Sequence, residues 1–301
     1  MKKTFLAKLA SSLLFVSLLA GCTADQRTEQ QRTIDEIKQL GGIITRDEQR
    51  LDRPVVRVEL GNRPADDSLL KRLKVFNRLE SLTLGHTEIT NDGLAHLKEM
   101  PRLQRLNIRY TAVTDEGLKH LEGLDQLTRL DLLGNRVTDA GLEHIKGLRQ
   151  LRTLILWHTY VTDAGLKHLE ALDQLRRLDL GDTIITDAGL KHLAGLDNLR
   201  TLILWRTRVT DAGLKHLEGL GQLRRLDLGF TDVTDAGLEH LKGLTQLRSL
   251  DLWTTGVTDA GLKHLEGLSQ LEELELRDAK VTEAGIEKLK KALPKLRTVE
   301  R

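Results

Sequence analysis

The stretch VTDAGLKHLEALDQLRRLDLGDTI, residues 161–184, decides the fold, because its pattern recurs along most of the chain. Near-copies follow one another every 24 residues without a gap, beginning at Ile89, Val113, Val137, Val161, Ile185, Val209, Val233 and Val257. A looser unit covers residues 65–88, and an altered unit covers residues 281–301. Self-similarity at a fixed period of this length predicts a solenoid, in which each unit buries its apolar side against its neighbours.

Each repeat divides into a helical half and a strand half. In the helical half, Leu166, Leu169 and Leu172 fall on one side of a predicted helix, and the preceding Thr and Asp offer amino-terminal capping oxygens. In the strand half, residues such as Leu130 and Leu132 alternate like one face of a short strand. The predicted order is therefore strand, loop, helix, loop, with the strands stacked in parallel.

The strand half, LxxLxLxxT, resembles the leucine-rich-repeat signature. That resemblance implies an α/β solenoid, a right-handed horseshoe or arc with parallel strands on the concave face and helices on the convex face. The ninth position of the signature is Asn135 in one repeat and Thr in most others, so we expect a ladder of buried Thr hydroxyls bonded to loop backbone. The VTDAGL motif resembles the repeats of bacterial, planctomycete-type leucine-rich-repeat proteins and of F-box proteins. No F-box segment is visible, so no ubiquitin-ligase role is carried over.

Residues 1–22 have the layout of a secretory signal peptide, with early lysines, a short apolar run and small residues at the end. The closing Leu19-Ala20-Gly21-Cys22 resembles the lipobox of bacterial lipoproteins. The resemblance implies lipidation of Cys22, cleavage just before it, and an extracytoplasmic, membrane-anchored protein of the cell envelope, with an outer membrane weakly favoured by Thr23. An ordinary signal with a chance cysteine, or an uncleaved anchor, is the alternative.

Beyond the signal, the chain divides into a tether, two caps and the repeats. Thr33 and Glu36 have the spacing of a capping box, which predicts the start of the folded part. Pro294 breaks the last helical pattern. The predicted boundaries are residues 1–21 for the signal, 22–31 for the lipidated cysteine and a flexible tether, 32–64 for an amino-terminal cap, 65–280 for the repeats and 281–301 for a carboxyl-terminal capping repeat.

Composition argues against several classes of function. The formal net charge is +2, which gives no reason to expect nucleic-acid binding or a general attraction to acidic surfaces. The single cysteine excludes an intrachain disulfide and a cysteine-based zinc cluster. One helical column repeats His, but helices pack about 8–10 Å apart, too far for side chains of adjacent repeats to surround one ion. With no phosphate loop, esterase or protease motif, we expect no enzyme, cofactor or metal site.

The candidate binding residues emerge when the strand positions are aligned in columns. All three tryptophans fall in one column at alternate repeats, with glycines between them, which predicts rings roughly 10 Å apart with slots between. Exposed Trp beside Arg is typical of binding hot spots. The predicted site combines Trp anchors, aliphatic neighbours and charged flanks: Trp157, Trp205, Trp253, Ile155, Ile203, Arg129, Arg177, Arg225, Asp179 and Asp227. A strand-end column is expected to extend this face: His86, Tyr110, His158, Arg206 and Phe230.

These columns predict a module that binds a protein partner on its concave face, or a polysaccharide, since aromatic rows also stack on sugar rings. Self-association, and an envelope enzyme or enzyme inhibitor, are the rival functions. The Trp spacing has a second interpretation: residues 151–183 and 199–231 differ at only five of 33 positions, so a recent duplication could have copied one Trp.

Overall fold

A computed structural model describes residues 28–301 as one 12-stranded sheet whose strands follow chain order. Strands β1 and β2 pair in antiparallel fashion, and every later neighbour pairs in parallel. Each parallel pair is offset by one repeat, so Arg177 pairs with Thr201 and Leu178 with Leu202. The predicted α/β solenoid is confirmed. Cys22, the signal and most of the predicted tether lie outside the described residues.

The strands after the first two are three residues long. They are β1 Ile43–Arg46, β2 Val55–Glu59, β3 Ser81–Thr83, β4 Arg105–Asn107, β5 Arg129–Asp131, β6 Thr153–Ile155, β7 Arg177–Asp179, β8 Thr201–Ile203, β9 Arg225–Asp227, β10 Ser249–Asp251, β11 Glu273–Glu275 and β12 Thr298–Glu300.

Most repeat helices are a single α-turn continued by a short 3-10 turn. The α-helices are α1 28–39, α2 Asp67–Arg72, α3 Asn91–Leu94, α4 Asp115–Leu118, α5 Asp139–Ile145, α6 Asp163–Leu166, α7 Asp187–Leu190, α8 Asp211–Leu214, α9 Asp235–Leu238, α10 Asp259–Leu262 and α11 Glu283–Ala292. The 3-10 turns are Leu73–Val75, Ala95–Glu99, Lys119–Leu121, Lys167–Leu169, Lys191–Leu193, Lys215–Leu217, Glu239–Leu241 and Lys263–Leu265. No helix within residues 28–301 is long and apolar enough to cross a membrane.

The core is an aliphatic column shared by all repeats. In one repeat, seven apolar side chains are fully buried, namely those of Val161, Leu166, Leu169, Leu172, Leu175, Leu178 and Leu180. Burying each such side chain contributes about 1.5–3 kcal/mol relative to leaving it exposed. A repeat this short has no interior of its own, so this burial exists only because neighbouring repeats cover each other.

The predicted threonine ladder is present beneath the strand ends. The Thr183 hydroxyl donates to the Leu180 carbonyl at 2.5 Å, and Thr207 repeats this bond to Leu204 at 2.6 Å. Asn135 reaches further, because its amide donates to the Ile108 carbonyl of the previous repeat at 2.9 Å. These side chains satisfy buried loop carbonyls that would otherwise lack a donor.

The aspartate of each VTDAGL motif joins one repeat to the next. Asp187 accepts hydrogen bonds from the backbone N–H and the hydroxyl of Thr210, at 2.8 and 2.7 Å. The sequence pattern had assigned this Asp to capping its own helix, but the oxygens point to the following repeat. Thr210 supplies the cap, because its hydroxyl accepts the Ala212 N–H at 3.3 Å. We call this pair of bonds the Asp–Thr clamp.

A glycine is required beside each clamp. A Cβ built on Gly213 would collide with the Asp187 carboxylate, and the equivalent glycines are in the same position. In the one repeat where Asn replaces Asp, Asn91 preserves the clamp by accepting the Thr114 N–H and donating to its hydroxyl, both at 2.9 Å. The recurring D-x-G pattern is therefore explained by the contact between successive repeats and not by the helix propensity of its residues.

The amino-terminal end differs from the predicted cap boundary. Helix α1 already includes residues 28–31, which the sequence pattern had placed in the tether. Thr33 is buried inside this helix and donates to the Glu29 carbonyl at 2.9 Å, so it is not the helix cap. The capping-box prediction from the spacing of Thr33 and Glu36 is wrong, because the Glu36 side chain pairs with Arg72. At the other end, α11 and β12 complete the last repeat and continue the sheet.

We expect the substitution Asp187→Ala to lower the free energy of unfolding by about 1–3 kcal/mol, since it leaves the Thr210 N–H and hydroxyl without their acceptor. Asp187→Asn should cost much less, because Asn91 shows that an amide can serve the same threonine. Urea unfolding followed by circular dichroism measures both variants. Equal destabilisation by Ala and Asn would show that charge, not the paired hydrogen bonds, holds the repeats together.

Candidate functional site

The open face of the sheet, which faces away from the helices, is lined by residues that flank the buried strand leucines. Arg129 and Arg177 are about two-fifths exposed there, and they pair with Asp131 at 3.8 Å and with Asp179 at 3.1 Å. Arg225 has an exposed side chain and no ion pair within the described residues. These three predicted arginines are therefore available to a partner.

Four predicted site residues are more deeply buried than the sequence suggests. Ile155 and Ile203 are 8% and 3% exposed, and Asp179 and Asp227 are 4% and 8% exposed. In the unbound protein these four residues support the surface rather than form it.

The tryptophans are partly exposed, and the first two contact each other directly. Trp157 and Trp205 stand two residues past β6 and β8, and their rings stack with centroids 5.1 Å apart and planes 25° apart. Gly181, in the repeat between them, makes this possible. A Cβ there would lie 2.9 Å from Cε3 of Trp157, so any other residue would push the indole away.

The row continues to the third tryptophan through a phenylalanine. Phe230 meets Trp205 edge to face at 5.4 Å and Trp253 edge to face at 4.6 Å. The guanidinium of Arg277 lies 4.9 Å from the Trp253 ring centroid, and Nε1 of Trp253 donates to Asp278 at 3.2 Å. We call the row Trp157, Trp205, Phe230 and Trp253 the aromatic ladder.

The predicted slots between tryptophans are wrong. Strand spacing fixes the backbone positions two repeats apart, but it does not fix where a long indole ring lies. Since Gly181 and Gly229 leave room above the intervening strands, Trp157 leans over Gly181 onto Trp205, and Trp205 lies over Gly229. The site is therefore a continuous aromatic surface and not a row of rings separated by gaps.

Phe230 reaches the ladder from the strand-end column that the sequence had suggested as an extension of the face. Residues of this column adopt left-handed backbone conformations, with φ of +54° at His158, +51° at Asp182, +54° at Arg206 and +55° at Phe230. Over three successive repeats the column is polar, because Asp182 contacts His158 at 2.6 Å and Arg206 at 3.2 Å. In the next repeat it is aromatic.

Buried carboxylates lie beneath and beside the ladder, and their pKa values are raised. Burial raises the pKa of Asp131 and Asp179. Burial, reinforced by repulsion from Asp251, raises the pKa of Asp227 to about 6. Asp227 also accepts the Gly229 N–H at 3.1 Å, which only partly offsets these two effects.

Three of the helical histidines, at alternate repeats, contact a glutamate of the preceding repeat. Nδ1 of His144 lies 2.6 Å from Glu122, and His240 contacts Glu218 at the same distance. No cluster of His, Cys, Asp and Glu with the geometry of a metal site occurs within residues 28–301.

The comparisons with known proteins agree on the repeat. A family profile described as Leucine Rich repeat matches residues 100–121, 127–146 and 223–242. The three segments that it matches are leucine-rich repeats, and the chain has the fold of a leucine-rich-repeat solenoid. No protein of curated function matches the sequence significantly.

Three solved structures are similar to this chain. The leucine-rich-repeat ectodomain of the Arabidopsis thaliana membrane receptor kinase GASSHO1/SCHENGEN3 is 19% identical with a TM-score of 0.54, over 76% of this chain and 27% of that one. Internalin InlF of Listeria monocytogenes is 18% identical with a TM-score of 0.48, over 83% and 90% of the two chains. Internalin C2 of the same species is 24% identical with a TM-score of 0.45, over 76% and 82%.

In this leucine-rich-repeat solenoid, we expect Gly181→Ala to break the stack between Trp157 and Trp205. The added methyl displaces the indole, and the lost ring contact lowers stability by about 1 kcal/mol. Near-ultraviolet circular dichroism should lose the signal of coupled indoles while the far-ultraviolet spectrum stays unchanged. Gly195→Ala is the control, because a Cβ there meets nothing within 4 Å. An unchanged near-ultraviolet spectrum in Gly181→Ala would contradict the stacked arrangement.

The raised pKa of Asp227 predicts a pH-dependent cost to stability. Its ordinary value is 3.8 and its folded value is about 6, so the folded state binds the extra proton between these pH values. The contribution of Asp227 therefore becomes less favourable as pH rises from 4 to 7. Asp227→Asn should raise the free energy of unfolding at pH 7.5 by on the order of 2 kcal/mol and leave it unchanged at pH 3.5. Denaturation of both proteins at the two pH values measures this, and an equal difference at both would exclude the titration.

Proposed function

We propose that the chain is a membrane-tethered binding module that holds a protein partner on the open face of its sheet. The single observation that carries this proposal is the aromatic ladder. It places three indoles and one phenyl ring side by side and at least partly exposed, on a face where the neighbouring Ile155 and Ile203 are buried. Burying such rings removes roughly 150–250 Å² each from water, which makes them suitable anchors for a partner.

The duplication of residues 151–183 and 199–231 does not by itself account for the ladder. Phe230 stands where the earlier copy has Asp182, and it is this substituted residue that bridges Trp205 to Trp253. The contact that extends the row thus arose at one of the few positions where the two copies differ. This favours an aromatic surface maintained for contact over one copied without consequence.

The arginines Arg129, Arg177 and Arg225 flank the ladder as polar contacts. Arg, Trp and Tyr are the residues most enriched among the energetically dominant positions of interfaces. Asp179 and Asp227 act from below: Asp179 orients Arg177, and both carboxylates hold backbone N–H groups beneath the rings. Ile155 and Ile203 fill the space under the same surface.

The fold supports a binding role by analogy alone. The Arabidopsis ectodomain was crystallised in complex with CASPARIAN STRIP INTEGRITY FACTOR 2, so a solenoid of this kind can present a face to another protein. The lipobox-like ending at Cys22 supports a lipid anchor that keeps the module at an extracytoplasmic membrane surface. A rigid repeat surface with no catalytic motif is better suited to binding than to catalysis.

The test is capture of a partner by the purified protein from native envelope extract, with chemical crosslinking. The variant Trp157→Ala, Trp205→Ala, Trp253→Ala should lose the captured species. The matched control changes three exposed apolar residues outside the ladder, Leu51→Ala, Tyr160→Ala and Ile184→Ala, and should retain it. Far-ultraviolet circular dichroism and thermal unfolding establish that each variant is folded.

The outcomes separate the competing functions. A discrete protein captured by the parent and the control, but not by the Trp variant, supports the proposal. Equal capture by all three proteins would move the site away from the ladder. Crosslinked copies of the chain alone would indicate self-association, and capture of carbohydrate alone would indicate a glycan ligand.

A further inference from the structure

A row of arginines marks the opposite end of the strands from the aromatic ladder. In the residue position just before five successive strands, β6 to β10, the side chain is Arg every time: Arg152, Arg176, Arg200, Arg224 and Arg248. The same position is Gln104 and Thr128 in the preceding repeats and Glu272 in the following one. The row is therefore a bounded feature of five repeats rather than a property of the whole column.

Backbone hydrogen bonds hold these arginines in strict register. The N–H of Arg176 donates to the Arg152 carbonyl at 2.9 Å, and the N–H of Arg200 donates to the Arg176 carbonyl at 2.8 Å. Arg224 and Arg248 continue the series with the same 2.8 Å bond. Neighbouring strands are about 4.8 Å apart, so the row extends about 19 Å along the solenoid. We call it the arginine ladder.

Four of its five side chains have no counter-ion within the described residues. Arg248 pairs with Glu272 at 3.6 Å, at the acidic end of the row. Arg152, Arg176, Arg200 and Arg224 make no ion pair and no side-chain hydrogen bond in residues 28–301. Elsewhere the chain pairs its arginines where acids are near, as at Arg177 and Arg206. The near-neutral total charge therefore conceals a local positive stripe.

The residues directly before and after each arginine indicate which kind of ligand the arginine ladder suits. The residue before each arginine is a buried leucine, and the residue after it carries a hydroxyl or a guanidinium: Thr153, Arg177, Thr201, Arg225 and Ser249. None of these flanking positions carries an aromatic ring. The stripe thus offers charge and hydrogen-bond donors, without the stacking platforms with which single-stranded nucleic acid is usually held.

We propose that the arginine ladder binds a linear acidic polysaccharide lying along the solenoid axis. A single exposed ion pair contributes only about 0–1 kcal/mol, so a small anion gains little here. A polymer with one carboxylate per repeating unit binds several arginines at once. After the first contact has formed, each further contact is effectively intramolecular and therefore costs less entropy. Guanidinium groups bind carboxylates through paired hydrogen bonds. The flanking Thr and Ser hydroxyls can form hydrogen bonds with the sugar hydroxyls that lie between successive carboxylates. This site is separate from the aromatic ladder and does not depend on the partner proposed there.

The experiment measures binding of the full-length purified protein to polygalacturonate, with neutral dextran as the uncharged control polymer. The variant Arg176→Gln, Arg200→Gln, Arg224→Gln should weaken binding about tenfold or more, because three adjacent arginines of the ladder lose their charge. The control variant Lys167→Gln, Lys191→Gln, Lys215→Gln removes the same charge from exposed helical positions of matching repeats and should bind like the parent. Binding should also fall steeply with added salt.

Each outcome decides the proposal. Salt-sensitive binding that the Arg variant loses, and that both the Lys variant and the Trp157, Trp205, Trp253→Ala variant retain, supports it. Equal loss in the Arg and Lys variants would show diffuse attraction and overturn it. Tighter binding to single-stranded DNA, to poly-L-glutamate or to anionic phospholipid vesicles than to polygalacturonate would overturn the choice of ligand. No binding to polygalacturonate would overturn the site itself.

Discussion

The structure depends on the Asp–Thr clamp between successive repeats. A unit of 24 residues with a three-residue strand and a single helical turn cannot bury its leucines alone. Stacking provides the burial, but leucine contacts are not directional and would permit neighbouring units to slide or rotate. Two hydrogen bonds accepted by one carboxylate, such as those that Asp187 accepts from Thr210, define the offset between repeats. The adjacent glycine is part of the same joint, because a side chain there would occupy the position of the carboxylate.

Precise stacking turns columns of sequence into surfaces. When every unit repeats the same offset, a residue type that recurs every 24 or 48 positions becomes a straight row in space. The aromatic ladder and the arginine ladder both arise this way, at opposite ends of the same strands. Strand length alone places Arg152 and Trp157 about 16 Å apart. One rigid sheet therefore presents an apolar row and a cationic row that do not interfere with each other.

Within the aromatic ladder, the small residues are as important as the large ones. Gly181 and Gly229 are buried under the indoles, and their lack of a side chain is what brings ring onto ring. Beneath them, the carboxylate of Asp227 bonds to backbone at the cost of desolvation, which its pKa of about 6 records. A binding surface that already contacts itself is preorganised, so less side-chain freedom is lost when a partner covers it.

The sequence by itself determined the period, the strand and helix halves of each repeat, the leucine core and the threonine ladder, because these follow from spacing and side-chain chemistry within one unit. It also identified the Trp column and the strand-end column that contains Phe230. Only the tertiary structure decided that the motif aspartate binds the next repeat, that Trp157 leans across Gly181 onto Trp205, and that Ile203 and Asp227 are covered. Spacing along the chain specifies which residues share a column, whereas contact between columns depends on side-chain reach and on the room that neighbouring repeats leave.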